Sequence, residues 1–351
     1  MLKIISGEKR NLFTFFARLL LLPFSLVYLI VFYFRLLIYK IGLCQQKRVA
    51  GVKIICIGNI SAGGTGKTPA VAYLTKILRG FTHKIAIVSR GYRKNKGETL
   101  NDEGNLLKSI YPNVLQFQNP DRYKACCDAK NAGAEIIILD DGFSHLQLVR
   151  DVDIVLIDAT RPFSFFELLP RGMLREPPSS LRRAAAAIIT RSNQVSTKKL
   201  QKLTNIIKQH SKKDTKILLA QHKPIGVREI SAEISPNLTN LINIEQIEGK
   251  SAFLFSGIGN PKSFIETCRE IGLKIAGFIE FPDHHNYDVD DMLSINRSAQ
   301  SAGADIIVTT SKDAVKLLKL DFEHVLPIYV IEVEFTLSQT EEESLINLVF
   351  S

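Results

Sequence analysis

One stretch carries the residues best suited to phosphate chemistry: Gly58-Asn59-Ile60-Ser61-Ala62-Gly63-Gly64-Thr65-Gly66-Lys67-Thr68-Pro69. It follows an apolar run, Ile54 to Ile57, and leads into Ala70-Val71-Ala72-Tyr73-Leu74, so strand, glycine loop and helix come in the order a phosphate cradle requires. Glycines let backbone N–H groups turn toward an anion, and the helix N-terminus adds partial positive charge. The expected nucleotide contacts are Ser61, Ala62, Gly63, Gly64, Thr65, Gly66, Lys67 and Thr68. Lys67 would reach the β- and γ-phosphates, and the Thr68 hydroxyl would sit on Mg²⁺. A strict P-loop has glycine where Ser61 stands, so the segment indicates nucleotide binding without naming the enzyme.

Further carboxylates and cations follow. Glu135-Ile136-Ile137-Ile138-Leu139 runs into Asp140-Asp141-Gly142, an apolar strand ending in two acids, which is the usual Mg²⁺-holding strand opposite a P-loop. Asp102, in Asn101-Asp102-Glu103-Gly104, reads from spacing as a turn residue. Asp121 fits an N-terminal helix cap, with Arg122 a cation near the same edge. The loop from Phe163 to Pro177 mixes aromatics with Arg171, Arg175 and Glu176, a set that suits an anionic substrate and a metal. Asp283-His284-His285 closes a later strand. A lone histidine pair is a poor metal signature; it suits proton handling, and a satisfied surface pair fits equally well.

The elements that must position these groups alternate as β and α. Strands are expected at Ile85 to Val88, Ile136 to Leu139, Val152 to Ile157, Ile188 to Thr190 and Ile217 to Leu219, with a helix from Lys198 to His210. Polar residues at the carboxyl ends of such strands, among them Ser89-Arg90-Gly91-Tyr92, sit where open α/β sheets bind ligands. Pro224 to Lys250 reads as irregular or extended connecting sequence, after which the alternation restarts at Ala252. The fold class is α/β: a P-loop NTPase-like doubly wound parallel sheet, a second smaller α/β lobe and an apolar N-terminal membrane helix. The domains read as 1–48, 49–223 and 224–351.

The net charge of +10 is concentrated at the start, where Lys3, Lys9, Arg10, Arg18, Arg35, Lys40, Lys47 and Arg48 face Glu8 alone. These cations bracket an apolar run rather than polar sequence, which points to an anionic membrane face and away from nucleic acid. Leu19 to Phe34 alone would make a helix of about 24 Å, and Leu12 to Ile38, with Arg18 and Arg35 snorkelling, one long enough to cross a bilayer. Pro23 is a candidate bend. No small-x-small cleavage site follows, so the segment reads as an uncleaved anchor, spanning or embedded in one leaflet, with the main body in the cytoplasm. Five cysteines without metal spacing suit a reducing compartment.

With these pieces assembled, the chain resembles the tetraacyldisaccharide 4′-kinases of lipid A biosynthesis. The resemblance is carried by residues 58–69, Ser89-Arg90-Gly91-Tyr92, Asp102-Glu103, Asp121-Arg122, Asp140-Asp141-Gly142-Phe143 with His145, Leu174-Arg175-Glu176-Pro177, Asp283-His284-His285 and Lys312-Asp313. Ser144 stands where the family usually has glutamine. The resemblance implies transfer of the ATP γ-phosphate to the 4′-hydroxyl of a tetraacylated glucosamine disaccharide 1-phosphate. The implied place is the cytoplasmic face of a Gram-negative inner membrane, and no obligate protein partner is implied. By motif, Asp102 looks like the catalytic base, paired with His284, while Lys67 absorbs transition-state charge. Thr68, Asp140, Asp141 and Glu176 look like the Mg²⁺ and phosphate shell, and Arg122 and Arg175 like ligands for the lipid phosphate or the transferring group. A membrane-attached ATPase would need its signature lysine at Ala62, and a regulatory GTPase would need a spacer absent from Ser311-Lys312-Asp313. A nucleotide-binding scaffold without transferase activity is the remaining alternative.

Overall fold

The computed structural model describes residues 12–91, 100–162, 167–231, 237–238, 240–318, 320–322 and 325–351. The first eleven residues, Tyr92 with the basic loop after it, and the aromatic run Phe163 to Phe166 lie outside the described residues. The chain divides into two compact units, one of residues 1–92, 111–221 and 336–351, the other of 93–110 and 222–335. This division is not contiguous in sequence. The Asp102 segment belongs with the second unit, and the last helix with the first.

The first unit is a seven-stranded sheet of β1 (Lys53–Asn59), β2 (Ile85–Ser89), β3 (Leu115–Gln118), β4 (Ile136–Asp140), β5 (Val152–Asp158), β6 (Ala186–Thr190) and β7 (Lys216–Leu219). Its order is β3-β2-β4-β1-β5-β6-β7, and every neighbouring pair is parallel. Runs such as Ile136-Ile137-Ile138-Leu139 are buried along their whole length, as in a parallel sheet covered on both faces. β1 is central, between β4 and β5, and its register sets Ile57 opposite Asp140. The twin carboxylates therefore emerge beside the start of the glycine loop. The terminal helix, Gln339–Phe350, is tied to this unit: Tyr73 donates to Glu342, Leu219 N donates to Glu341 Oε1 at 2.7 Å, and Phe350 packs on Phe81.

Two helices, Leu12–Leu20 and Leu22–Lys40, precede β1. Pro23 falls in the first turn of the second helix, where its missing N–H costs nothing, so it starts a helix where a bend within one was expected. The stretch Phe15–Lys40 has 26 residues and contains an 18-residue window of mean hydropathy 2.2, enough by length and composition to cross a membrane. Phe13, Leu20, Phe24, Ile30, Val31 and Phe34 are exposed. A polar seam joins the helices to the segment 167–179: Arg18 to Glu167, Ser25 Oγ to Leu168 O at 3.0 Å, Tyr28 Oη to Arg175 O at 2.8 Å, and Tyr33 Oη with Ser179 Oγ at 3.2 Å.

The second unit holds β8 (Gln221–Ser231), β9 (Asn237–Leu238), β10 (Ser251–Ser256), β11 (Lys274–Glu280), β12 (Ile306–Thr310) and β13 (Ile328–Thr336) in the order β11-β10-β12-β13-β8-β9. β8 corrects the reading of Pro224 onward as connecting sequence. Pro224 and Gly226 disguised the strand. Gly226 is required by close approach, since a Cβ there would meet Leu241 Cγ at 2.7 Å. Helices Asp102–Ile110, Pro261–Glu270, Val289–Ser301 and Ser311–Leu317 complete the unit.

Candidate functional site

The glycine loop leaves β1 at Asn59 and enters the helix Lys67–Leu78, with Gly66 at its cap. Gly63 (φ 104°) and Gly66 (φ 87°) take left-handed backbone that a side chain would strain. The loop is braced from below: Asn59 Nδ2 donates to Thr65 Oγ1 at 2.9 Å, Thr190 Oγ1 to Thr65 O at 3.0 Å, and Arg191 Nη1 to Gly64 O at 3.2 Å. The buried Arg191 is itself paired with Asp158 at 2.6 Å. On the other side Ala62 N donates to Met173 O, and Arg175 N to Ile60 O, so residues 173–176 run alongside Ile60 to Ala62. Ser61 bridges to Leu174 there, which gives the non-glycine residue a strand-like role. Lys67 and Thr68 open the helix, as the cradle demands.

The expected metal and substrate residues of the first unit gather around this loop. Asp140 is buried at the end of β4. Asp141 turns into left-handed backbone (φ 54°), and its carboxylate faces Arg175 Nη1 at 3.1 Å and Lys67 Nζ at 3.7 Å. Burial works to raise the Asp141 carboxyl, but the charges of Lys67, Arg175 and Arg122 outweigh it and hold it below the ordinary value. Arg122, buried at the start of the helix Arg122–Asn131, lies within electrostatic reach of Asp140, Asp141 and Arg90; desolvation, then Arg90, lowers its pKa. Asp121 caps that helix by accepting from Lys124 N. Glu176 is only 1% exposed and engages Ser144 Oγ at 2.5 Å and the guanidinium of Arg183, which stacks 4.2 Å over the Phe143 ring. His145 is driven down to about 4 by burial and by the charges of Arg122 and Arg150, so its ring is neutral. No group of three or more His, Cys, Asp or Glu among the described residues would hold a metal unaided. A magnesium ion bound through one or two carboxylates, with phosphate oxygens and water as its other ligands, needs no such group. Thr68, Asp140 and Asp141 fit that chemistry.

The second unit presents a different constellation. Asp102 is not a turn residue but the first residue of a nine-residue helix. His284 follows β11 in left-handed backbone (φ 66°), and its Nδ1 lies 3.7 Å from Asp102 Oδ2. Lys316 Nζ lies 3.3 Å from the same oxygen. Against the cost of burial, the imidazole of His284 first and Lys316 next lower the Asp102 carboxyl, so it is ionised at neutral pH. Lys312 Nζ is 3.3 Å from His284 Nε2 and from Asp283 Oδ1 and 3.6 Å from Glu103 Oε1. His285 is taken up elsewhere, by Asp291 at 2.7 Å and by stacking on Phe281. The adjacent histidines thus serve different partners, and His284 is the one beside Asp102.

A family model described as tetraacyldisaccharide-1-P 4′-kinase matches residues 17–350. The chain belongs to this family. Curated relatives bearing the name tetraacyldisaccharide 4′-kinase include one from Halothermothrix orenii, 34% identical over 340 residues (90% of this chain and 88% of the relative). Another, from Syntrophus aciditrophicus, is 35% identical over 326 residues, covering 86% and 85%. Among solved structures, LpxK from Aquifex aeolicus in complex with ATP superposes with a TM-score of 0.69 at 28% identity, covering 95% of this chain and 98% of that one. The match takes in both units.

Sequence reasoning did not single out Lys316, Arg183, Asn59 or Arg191, whose partners appear only in three dimensions. One signal existed: Lys312 and Lys316 are four residues apart on a short helix, hence on one face beside the His284 turn.

Proposed function

We infer that this chain is an ATP-dependent kinase that transfers the γ-phosphate to the 4′-hydroxyl of tetraacyldisaccharide 1-phosphate, a lipid A precursor. The observation that carries the reading is the family match across residues 17–350 together with the braced glycine loop bearing Lys67. The Ser61 to Thr68 backbone and Lys67 hold the triphosphate. Thr68, Asp140 and Asp141 would hold Mg²⁺, which when bound neutralises phosphate charge. Glu176, engaged by Ser144 and Arg183, supports the loop that carries Asp141 and Arg175 more directly than it could serve a metal. Arg175 and Arg122 supply positive charge for the transferring group or the acceptor's phosphate.

Asp102 takes the proton from the acceptor hydroxyl, and His284 orients its carboxylate. A sugar alcohol is a weak nucleophile, so a positioned base raises the turnover step more than binding. Transfer therefore requires an acceptor that engages Asp102 and the γ-phosphate in one complex. Asp102→Asn should reduce turnover by on the order of 100-fold or more with ATP affinity retained; wild-type turnover would remove Asp102 from this role.

The body works at the cytoplasmic face of a Gram-negative inner membrane, on an acceptor whose four acyl chains stay in the bilayer. The exposed face of the N-terminal helices meets the lipid, while the seam from Arg18 to Tyr33 keeps their other face on the protein. Such an arrangement favours a helix lying in one leaflet over one that crosses. Removing residues 1–40 should release the protein from membranes, and retention would place the attachment elsewhere. The decisive assay supplies γ-labelled ATP and tetraacyldisaccharide 1-phosphate to the full chain. Label in the lipid at the 4′ position is expected; ATP consumption without labelled lipid would reduce the protein to an ATPase or nucleotide-binding scaffold.

A further inference from the structure

Lys316 is buried, at 7% exposure, and a lysine so placed is costly unless its ammonium is satisfied. Its Nζ donates to the backbone carbonyl of His285 at 2.7 Å and lies 3.3 Å from Asp102 Oδ2. Both partners belong to the constellation around the alcohol-activating carboxylate, though they come from segments some 180 residues apart in the chain.

The helix that carries Lys316 is itself locked. Asp313, fully buried, accepts from Thr310 Oγ1, from Tyr287 Oη and from Gly257 N. Gly257 O in turn accepts from His284 N at 3.1 Å. The strained residue is thus gripped on both sides: its own N–H by Gly257, and the next residue's carbonyl by Lys316. Left-handed backbone at a non-glycine residue persists only where the surroundings over-determine it. His284 Nδ1 and Lys316 Nζ both converge on Oδ2 of Asp102.

We propose that Lys316 is a positioning residue for phosphoryl transfer: one ammonium ties Oδ2 of Asp102 to the His285 carbonyl, fixing the base and the His284 turn against each other. The proposal rests on the reading of Asp102 as the base. Lys312 has a separate task, since its ammonium goes to Glu103, Asp283 and His284 Nε2.

The test compares Lys316→Met, Lys316→Arg and Asp102→Asn in the full chain, with turnover and Michaelis constants measured from pH 5 to 9. Of the charged groups around Asp102, His284 on the turn and Lys316 on the facing helix act on it, while Glu103 lies on its own helix, Asp283 on the turn, and Lys312 and Asp313 on the facing helix. Of these the variants change only Lys316. Lys316→Met should lower turnover by on the order of 10- to 100-fold with the Michaelis constant for ATP within about twofold. Loss of a cation lets the carboxyl hold its proton to higher pH, so the acid limb of turnover should rise by about one pH unit. Lys316→Arg should restore most of both. If Lys316→Met does not fold, Lys316→Gln keeps a donor for the carbonyl but no charge, and should show the same shift of the acid limb. Wild-type turnover in Lys316→Met, or lowered turnover with an unmoved acid limb, would overturn the proposal. Loss of turnover in Asp102→Asn alongside an unaffected Lys316→Met would fault only the lysine. Retained turnover in Asp102→Asn would remove the base itself, and the lysine's task with it.

Discussion

Removing the guanidinium of Arg183 tests how the loop beside Asp141 is held. Glu176 is 1% exposed, and its two oxygens are divided between Ser144 Oγ and Arg183. Arg183 also donates to Phe143 O at 3.2 Å and lies 4.2 Å over the Phe143 ring. Its own side chain is about a quarter exposed, so it is the outer member of the pair. In Arg183→Met the methionine stem can still cover Phe143, but Glu176 is left as a buried carboxylate with a single hydroxyl donor. Breaking a buried pair by deleting one partner costs about 3–5 kcal/mol, because the surviving charge is stranded. The exposure of Arg183 puts the expected value at the low end, about 3 kcal/mol. For a cooperative unit of this size that is a fall of roughly 6–12 °C in melting temperature.

The control is the double variant Arg183→Met with Glu176→Gln, which removes the stranded charge and leaves an amide that Ser144 can still satisfy. Most of the lost stability should return, giving a coupling of about 2 kcal/mol in a double-mutant cycle. Thermal unfolding followed by circular dichroism, with all four proteins in one buffer, measures this directly. If Arg183→Met melts within about 2 °C of wild type, or if the double variant is additive, then the pair behaves like a solvated surface pair. The claim that Glu176 is committed to structure would then fail, and its assignment to the phosphate shell would regain force.

Three further outcomes follow from the same geometry. A Cβ at Gly58 would meet Phe143 Cβ at 2.5 Å, so Gly58→Ala should destabilise by about 1–3 kcal/mol; unchanged unfolding in urea would mean the β1–Phe143 contact yields freely. Lys67→Ala should lower phosphoryl transfer by on the order of 100- to 1,000-fold in a saturating-ATP assay, and near-normal rates would take the lysine out of transition-state stabilisation. His145, held down to about 4 from 6.5, binds its proton in the unfolded chain first. Its contribution is therefore present above pH 6.5 and is lost as pH falls toward 4, to the extent of roughly 3 kcal/mol. His145→Asn should flatten the stability profile across that window, and an equally steep fall in the variant would assign the proton uptake elsewhere.

What the sequence made legible, and what it hid, has one physical cause. β1, the glycine loop and β4 are local patterns: apolar runs of strand length, glycines and a lysine at fixed offsets, two acids at a strand end. The spacing of those residues is itself the geometry, so Lys67, Thr68, Asp140 and Asp141 could be read directly and lie where the order of elements put them. Asp102 had no such pattern. It opens a helix among polar neighbours, and its partners His284 and Lys316 lie far along the chain, so residues read one by one gave only a turn. β8 was missed because Pro224 and Gly226 carry strong turn signals, which tertiary pairing with β13 overrides. Buried ionic partners such as Arg183 and Arg191 are the hardest case, since an arginine's destination depends on which carboxylate or carbonyl the fold delivers to it. Here the fold delivers a carboxylate to each. Cations at the edge of this site therefore divide by their partners. Arg183 and Arg191 are committed to buried acids and act on structure, whereas Lys67 and Arg175 share the more exposed Asp141, where a competing phosphate can draw them away.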